Sequence, residues 1–393
     1  MKTQRPNYYE FFAGGGMARA GLGAGWQCIF ANDFDQMKAA TYAANWGSDD
    51  LLCEDVAKVT TAQLPRHADL TWASFPCQDL SLAGDYLGLG DASSTTMTRS
   101  GTFWPFWGLM RALKKEKRAP KIIVLENVYG ALTSRGGKDF SAICSAMSGS
   151  DYRFGAIVVD AARFVPQSRQ RVFFIAIDST CKLPDQLSVD SPTAEWHPRA
   201  LVAAQTKLSD SARKNWLWWA MPVPCARKIE FSDLIEDVPT GVDWHDKAKT
   251  DALLDMMTPL NRAKVTAAQF AGKRMVGGLY KRTRQDDAGV RRQRAEVRFD
   301  GVAGCLRTPR GGSSRQTIVV VDGPLIRSRL LSPREAARLM GLSETYLLPS
   351  RYNDAYQVAG DGVCVNVVRH IARHILEPLL RAQSVHEASQ LYA

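Results

Sequence analysis

Short apolar runs, each closing on a polar or glycine-rich turn and separated by text of helical period, dominate the first half of the chain. The runs occupy residues 8–13, 28–31, 70–75, 122–125, 156–160 and 172–177, with helical text at 17–24, 36–45, 103–117 and 139–147. Strands that alternate with helices imply a parallel sheet with crossover helices. From about residue 183 proline, tryptophan and serine accumulate, and the text reads as irregular to about residue 300. A strand at 317–321 and helices at 333–340 and 363–381 follow. The 393 residues therefore read as an α/β sheet domain, an insertion, and a C-terminal return to the sheet domain, without internal repeats.

Charge sets the insertion apart. Of 50 Lys and Arg and 40 Asp and Glu, 14 basic and 4 acidic residues fall between Asn261 and Arg315, which leaves 36 of each elsewhere. The whole excess of +10 thus sits in one stretch. A solvated basic face is the commonest origin of such a run. Here, however, Lys281-Arg282-Thr283-Arg284 and Arg291-Arg292-Gln293-Arg294 interleave cations with hydrogen-bonding side chains. That mixture suits phosphate and base-edge contacts together, so nucleic acid is the expected partner. No apolar run approaches the roughly 18 residues of a membrane span, and residues 1–5 precede no apolar stretch. A cytoplasmic, nucleoid-associated protein is expected, neither secreted nor in a membrane. The eight cysteines are scattered without a CxxC pair, which excludes a disulfide framework or zinc spacing and implies reduced, mostly buried thiols.

Chemistry-bearing residues gather at the ends of the strands. Phe12-Ala13-Gly14-Gly15-Gly16 lies where the first strand turns into a helix, and glycines there let the backbone approach a ligand. The turn could serve a dinucleotide, S-adenosylmethionine or its own tight geometry, although the GxGxxG spacing is not met. Asn32-Asp33-Phe34 offers a carboxylate for ribose hydroxyls and a ring for adenine, and Asp55 an acceptor for the adenine amino group. Each acid alone serves equally well as an N-cap or turn residue. Cys77 follows a proline at a strand end, ahead of a polar loop at 84–101 that reads as a lid. A lone cysteine is ordinarily an inert core residue; position raises this one as a nucleophile. Glu126 ends an apolar strand and is placed either as a proton donor or as a surface acid. Arg169 and Arg171 alternate, and so share one face of an extended segment. Such a pair suits an anion, a carbonyl or a buried carboxylate, or simply an edge-strand charge pair.

In this order, Phe12-Ala13-Gly14-Gly15-Gly16, Asn32-Asp33, Pro76-Cys77-Gln78, Glu126-Asn127-Val128 and Gln167-x-Arg169-x-Arg171 resemble the DNA cytosine-5 methyltransferase family. Beyond the insertion, residues 331–341 look like its arginine- and glutamate-bearing helix and residues 357–363 like its closing motif, so the resemblance covers about two thirds of the chain. It implies a class I methyltransferase fold: a Rossmann-like, mostly parallel seven-stranded sheet with a smaller target recognition domain inserted before the C-terminal return. The implied boundaries are 1–182, 183–304 and 305–393.

By the same resemblance, S-adenosylmethionine is the cofactor, held by Phe12, Ala13, Gly14, Gly15, Gly16, Asp33, Phe34, Asp55, Val56, Pro76, Phe103, Asp361 and Val363. Cys77 adds to carbon 6 of the flipped-out cytosine, Glu126 holds its ring nitrogen and amino group, Arg169 contacts its oxygen, and Arg171 positions Glu126. Double-stranded DNA is contacted by Ser81 in the mobile loop, by Lys281, Arg282 and Arg284, and by Arg307, Arg310 and Arg315 as phosphate clamps. No metal is implied, and a monomer is expected. One departure stands out: the closing motif reads Gly360-Asp361-Gly362 where the family has Gly-Asn-Ser or Gly-Asn-Ala, which implies altered cofactor affinity. Transfer RNA is an alternative substrate, but that branch carries a Cys-Phe-Thr tripeptide absent here. A non-catalytic DNA-binding protein is a further alternative, opposed by the complete catalytic set.

Overall fold

Buried aliphatic and aromatic runs form the seven-stranded sheet of the computed structural model, which describes residues 5–76, 89, 100–285, 289–307 and 315–391. In chain order come β1 (Asn7–Phe11), α1 (Met17–Leu22), β2 (Gln27–Asp33), α2 (Gln36–Trp46), β3 (Leu51–Cys53) and β4 (Leu70–Ala73). They are followed by α3 (Phe103–Lys115), β5 (Ile122–Val128), α4 (Lys138–Ser148), β6 (Tyr152–Asp160) and β7 (Gln170–Asp178). The strand order is β3-β2-β1-β4-β5-β7-β6. Only β7 runs antiparallel to its neighbours. All four residues of β4 and the first six of β5 are buried, as expected of strands covered by helices on both faces. Phe103, Phe106 and Leu113 of α3 pack with Phe140 and Ile143 of α4 in one hydrophobic core cluster. The order reverses between β1 and β4, so a crevice opens beyond their carboxyl ends.

Residues 1–160, 170–224 and 362–393 make up this first unit, and residues 161–169 and 225–361 a second. These divisions differ from the boundaries at 183 and 304 read from the sequence. Residues 183–224 stay with the first unit because their backbone pairs onto β6: Phe154 N donates to Asn215 O at 2.9 Å and Leu217 N to Phe154 O at 2.7 Å. They carry α5 (Arg199–Gln205), α6 (Asp210–Lys214) and the short pair β8 (Ser188–Val189) and β9 (Trp218–Trp219). Trp219 Nε1 donates to Ile175 O at 3.0 Å, which seats β9 against β7.

The second unit holds α7 (Lys247–Asp255), α8 (Pro259–Gln269), β10 (Met275–Gln285), β11 (Arg291–Arg298), β12 (Thr317–Asp322), β13 (Leu325–Leu330), α9 (Pro333–Leu339) and α10 (Tyr352–Asp361). Its four strands form an antiparallel sheet in the order β11-β10-β12-β13. The segment read as irregular, residues 183–300, therefore contains the four helices α5 to α8 and, besides the short pair β8 and β9, the two long strands β10 and β11 among its described residues. Gly277-Gly278 and charges on both faces of β10 erase the apolar alternation by which a strand is recognised. Leu279, Ala295, Val297, Val319 and Val321 pack on Leu253, Leu254 and Met257 of the α7 region and on Val265 and Ala268 of α8.

A fully buried ion pair joins β13 to α9. Arg329 Nη1 donates to Glu335 Oε2 at 2.7 Å and Arg329 Nη2 to Glu335 Oε1 at 2.6 Å. Glu335 also accepts from Ser332 N and Glu236 N. Arg329 donates besides to Leu330 O and Glu236 O. The C-terminal helix expected at 363–381 is instead α11 (Val365–Ile371), a π-helical turn (Ala372–Leu376) and α12 (Glu377–Leu391), and it returns to the first unit. There Gly21 of α1 lies so close to Val368 of α11 that a Cβ on it would sit 2.4 Å from Val368 Cβ. Of the described cysteines only Cys28, Cys144 and Cys364 are buried, fewer than expected.

Removing Glu335 strands a buried guanidinium. Glu335→Ala is expected to cost about 3–5 kcal/mol, read from the urea midpoint. Adding Arg329→Met should give a loss smaller than the sum of the two single losses; simple additivity would show that the pair is not coupled.

Candidate active site

The loop after β1 is held by one buried carboxylate. Gly14 N donates to Asp33 Oδ2 at 2.8 Å and Asp35 N to Asp33 Oδ1 at 2.9 Å, while Ala13 N donates to Asn32 O. Asp33 is 6% exposed, and burial raises its pKa against the opposing pull of Lys38 and the two N–H groups. The backbone is left-handed at Phe12 (φ 55°), Gly14 (φ 56°) and Gly16 (φ 76°). The two glycines serve different ends. At Gly16 a Cβ would lie 2.3 Å from Trp46 Nε1, whereas at Gly14 it would meet nothing within 4 Å. Gly14 thus turns an open, side-chain-free backbone outward, as a ligand lying on the loop requires.

Polar groups at the next strand ends are held as firmly. Asn32 Nδ2 donates to Leu52 O at 3.0 Å and to Glu54 O at 2.8 Å, fixing the chain that presents Asp55. Asp55 Oδ1 caps the following turn through Ala57 N at 2.9 Å, over the buried Val56. The Phe34 ring is 68% exposed. Phe103, expected to reach a cofactor, is fully buried. It stacks on Trp107 at 5.9 Å and lies 5.5 Å from Phe75, so it supports the segment leading to the half-buried Pro76 rather than offering a free face. Beneath the loop, on β1, Glu10 is 1% exposed, and its Oε2 lacks a hydrogen-bond partner among the described residues.

Glu126 lies 5% exposed near the end of β5, with Arg171 Nε of β7 3.1 Å from its Oε1. The register explains the pair: Val128 opposes Arg171, which puts Glu126 diagonally across on the same face. The adjacent Asn127 sends Nδ2 to Phe75 O at 3.1 Å, anchoring the chain two residues before Cys77. Asn32 and Asn127 stand inside the sequence motifs, where the pattern alone assigns them no role. The signal available was an amide beside an acid at a strand end. Cys77 and Ser81 lie outside the described residues. Leu89 of the long loop is described: it is buried, its N–H donates to Asp139 Oδ1, and its carbonyl accepts from Trp104 Nε1.

Alternation predicts one shared face for the two arginines of the Gln-x-Arg-x-Arg motif, but the structure gives Arg171 to Glu126 and Arg169 to backbone carbonyls. β7 begins at Gln170, and Arg169, just before it, belongs to the second unit. There Arg169 is 2% exposed and donates to Leu306 O at 3.2 Å and Gly360 O at 2.9 Å. Gln167 was given no role either: it is buried, donates to Leu339 O at 2.8 Å and accepts from Leu306 N at 3.1 Å.

One half of the departure in the closing motif, Gly362 in place of Ser or Ala, lies against a close neighbour. A Cβ on Gly362 would fall 1.9 Å from Met17 Sδ of α1, so the methionine occupies the space that Ser or Ala would fill. Asp361 is exposed and accepts from Gln357 Nε2 at 3.4 Å, while Val363 is buried. Among the expected DNA contacts, Lys281, Arg282, Arg284 and Arg307 are exposed. Arg315 stacks on Tyr352 at 5.4 Å and donates to Asn353 Oδ1, and Arg310 lies outside the described residues. No group of three or more His, Cys, Asp or Glu able to hold a metal occurs among the described residues.

Burial, countered by Arg19, pushes the Glu10 carboxyl from its ordinary 4.5 to about 8. The folded state then binds a proton that the unfolded state releases, so stability is full below pH 4.5 and falls as pH rises towards 8. The expected slope is about 1.4 kcal/mol per pH unit at most. Glu10→Gln should flatten this dependence and raise Tm most at pH 8. Parallel melting curves for the two proteins from pH 6 to 9 would rule the linkage out.

The chain matches the family described as C-5 cytosine-specific DNA methylase over residues 7–377. It is 26% identical to the Type II methyltransferase M1.ScrFI of Lactococcus lactis subsp. cremoris over 97% of this chain and 81% of that protein. To the Type II methyltransferase M.HhaI of Haemophilus parahaemolyticus it is 24% identical over 94% and 93%. Similar solved structures include the Dnmt2 methyltransferase of S. pombe, with TM-score 0.57, 17% identity and coverage of 96% and 99%. Another is a putative DNA modification methyltransferase encoded within an E. coli prophage, with TM-score 0.56, 17% identity and the same coverage. At such identities these structures speak for the fold alone. The match across nearly the whole chain, on a fold whose strand ends carry the Gly14 turn, Asp33 and the Glu126–Arg171 pair, makes this protein a member of the C-5 cytosine-specific DNA methylase family, a DNA cytosine-5 methyltransferase that uses S-adenosylmethionine.

Proposed function

We propose that the chain methylates carbon 5 of cytosine in a short duplex DNA sequence, through addition of Cys77 to carbon 6 of a base turned out of the stack. The observation that carries this reading is the bond from Asn127 to Phe75 O: it ties the chain entering Pro76-Cys77 to the residue beside Glu126. Carbon 5 of cytosine is a weak nucleophile. When the Cys77 thiolate forms a bond to carbon 6 and a proton reaches ring nitrogen 3, the ring becomes an enamine, nucleophilic at carbon 5. Glu126 holds the ring-nitrogen and amino edge and supplies that proton, with Arg171 fixing the carboxylate through Oε1. Arg169 is the candidate partner of the base oxygen. After methyl transfer, loss of the carbon-5 proton and elimination of the thiolate restore the aromatic ring. A stacked base cannot be approached in this way, so it must leave the helix.

Residues of the first unit fit the cofactor. The open face of Gly14, between Phe12, Ala13, Gly15 and Gly16, accommodates the methionine part. Asp33 suits the ribose, Phe34 the adenine face and Asp55 with Val56 the adenine edge, and Pro76 and Val363 complete the set. When bound, S-adenosylmethionine supplies an electrophilic methyl group. Asp33 already spends both oxygens on backbone N–H groups, so it shares them with the ribose while holding the loop in shape. Asp361 accepts from the cofactor's amino group and repels its carboxylate.

Two measurements check this. Base-resolution mapping of DNA from a methylation-free host should show modified cytosine in one short context, lost with Cys77→Ala. An unmethylated genome from soluble, cofactor-binding protein would sink the duplex-DNA reading and turn the search to RNA. Separately, Asp361→Asn should change the dissociation constant of S-adenosylmethionine by about threefold or more. Equal constants by calorimetry would remove any role for this acid in cofactor affinity.

A further inference from the structure

Beyond Leu279, β10 leaves β12 and pairs only with β11 among the described residues. The β10–β12 register ends at Leu279–Thr317, while β10–β11 pairing continues from Tyr280–Glu296 out to Gln285–Arg291. The result is a two-stranded ribbon extending past the sheet. By sequence, residues 280–296 contain six Lys and Arg against the three acids Asp286, Asp287 and Glu296, a net +3. Directly opposed residues share a face, so Arg282 with Arg294 and Arg284 with Arg292 form a square of four guanidinium groups on one side. The other side, with Lys281, Thr283, Gln285, Arg291 and Gln293, continues the face whose Leu279, Ala295 and Val297 are buried against the α7 and α8 core.

Glu296 stands at the foot of the arginine square. Arg282 Nε lies 3.4 Å from its Oε2 and Arg284 Nε 2.6 Å from its Oε1. Both contacts use Nε, the nitrogen that a two-Nη fork does not need. That is the arrangement by which a guanidinium, braced from behind, offers its fork to O6 and N7 of guanine. Arg282 is steadied further by the Tyr280 ring at 5.7 Å. A two-stranded ribbon fits the major groove of B-form DNA, about 12 Å wide, whereas the deep, narrow major groove of A-form RNA is closed to side chains. Its six residue pairs, separated by five rises of about 3.4 Å, reach across roughly five base-pair steps.

We propose that the β10–β11 ribbon enters the major groove with Arg282 and Arg284 toward the bases and Arg292 and Arg294 toward the flanking phosphates, and that Glu296 is the positioning residue that aims Arg282 and Arg284 at guanine. This rests on the reading of duplex DNA as the substrate. Glu296 then acts with opposite sign on two kinds of DNA. On the target sequence it improves the geometry of two forks; on any other sequence it is a negative charge facing phosphates.

The test is DNA binding by fluorescence anisotropy over a range of salt, with the methylated context as target and a scrambled duplex as control. Glu296→Gln should weaken target binding about 5- to 100-fold while tightening binding to the scrambled duplex. Arg282→Lys and Arg284→Lys, which keep the charge and lose the fork, should lose discrimination at an unchanged salt slope. Arg294→Ala should flatten the slope on both duplexes, by about one phosphate contact. Thr283→Ala and Gln293→Ala, on the opposite face, should do little. The proposal is overturned if those two carry the discrimination, if Glu296→Gln moves both duplexes equally, or if only RNA binding responds. Wild-type protein that methylates no context would overturn the duplex-DNA reading instead, and the salt slope of Arg294→Ala on random duplex would still judge the ribbon.

Discussion

Parallel pairing brings the strand-end residues of the first unit to one edge. Strands β1 to β5 end there, and the reversal between β1 and β4 opens a crevice at that edge. Parallel strand ends leave backbone groups that no neighbouring strand can pair, and buried groups of this kind must find partners. Side chains one residue from the functional acids supply them. Asn32 takes Leu52 O and Glu54 O, Asn127 takes Phe75 O, and Asp33 takes Gly14 N and Asp35 N. The bonds Asn32–Glu54, Asn127–Phe75 and Asp33–Gly14 each join the end of one strand to the loop after another, so the strand ends are fixed relative to each other before any ligand arrives. Such fixed geometry is what positions reacting groups at little further entropic cost.

Two buried carboxylates meet the same desolvation in opposite ways. Glu335 is fully buried and answered by a bidentate arginine and two backbone N–H groups. Glu10 is as deeply buried, with Arg19 only a partial offset and one oxygen unpartnered among the described residues. The first arrangement fixes the junction of β13 and α9. The second keeps a costly group under the Gly14 turn, where a domain selected for stability alone would place an apolar side chain. Polar groups that reduce stability tend to gather at functional sites, and Glu10 lies one strand-end from the proposed cofactor position.

Much of the first unit was legible in the sequence because its elements are local. Apolar runs such as those at β4 and β5, closed by turn-forming residues, read as strands without reference to anything distant. The second unit was not, since β10 and β11 carry charge on both faces and leave no period to detect. The position of residues 183–224 depends on backbone bonds between Phe154, Asn215 and Leu217, which any side chains could accompany. Likewise Gln167 and Arg169 bond to the carbonyls of Leu339, Leu306 and Gly360. A motif shows that two such residues recur together; it does not show that their partners are backbone atoms more than a hundred residues away. The burial of Phe103 was not legible for a related reason, because an aromatic residue after a polar loop reads alike whether its ring faces a ligand or the core.

The charge on β11 has a second physical explanation, which the ribbon must be weighed against. β11 is an edge strand, and edge strands are commonly protected from pairing with another chain by charged side chains. Part of this edge is already covered, because Ala295 N donates to Met256 O and Val297 N to Asn261 Oδ1. Protection of the remainder calls for one or two charges. It does not call for four arginines in cross-strand register on a single face, where like charges oppose each other at a cost. Nor does it call for a carboxylate that engages two of them through Nε. A polyanion with acceptor groups in its groove relieves repulsion of that kind and presents what the forks of Arg282 and Arg284 can read.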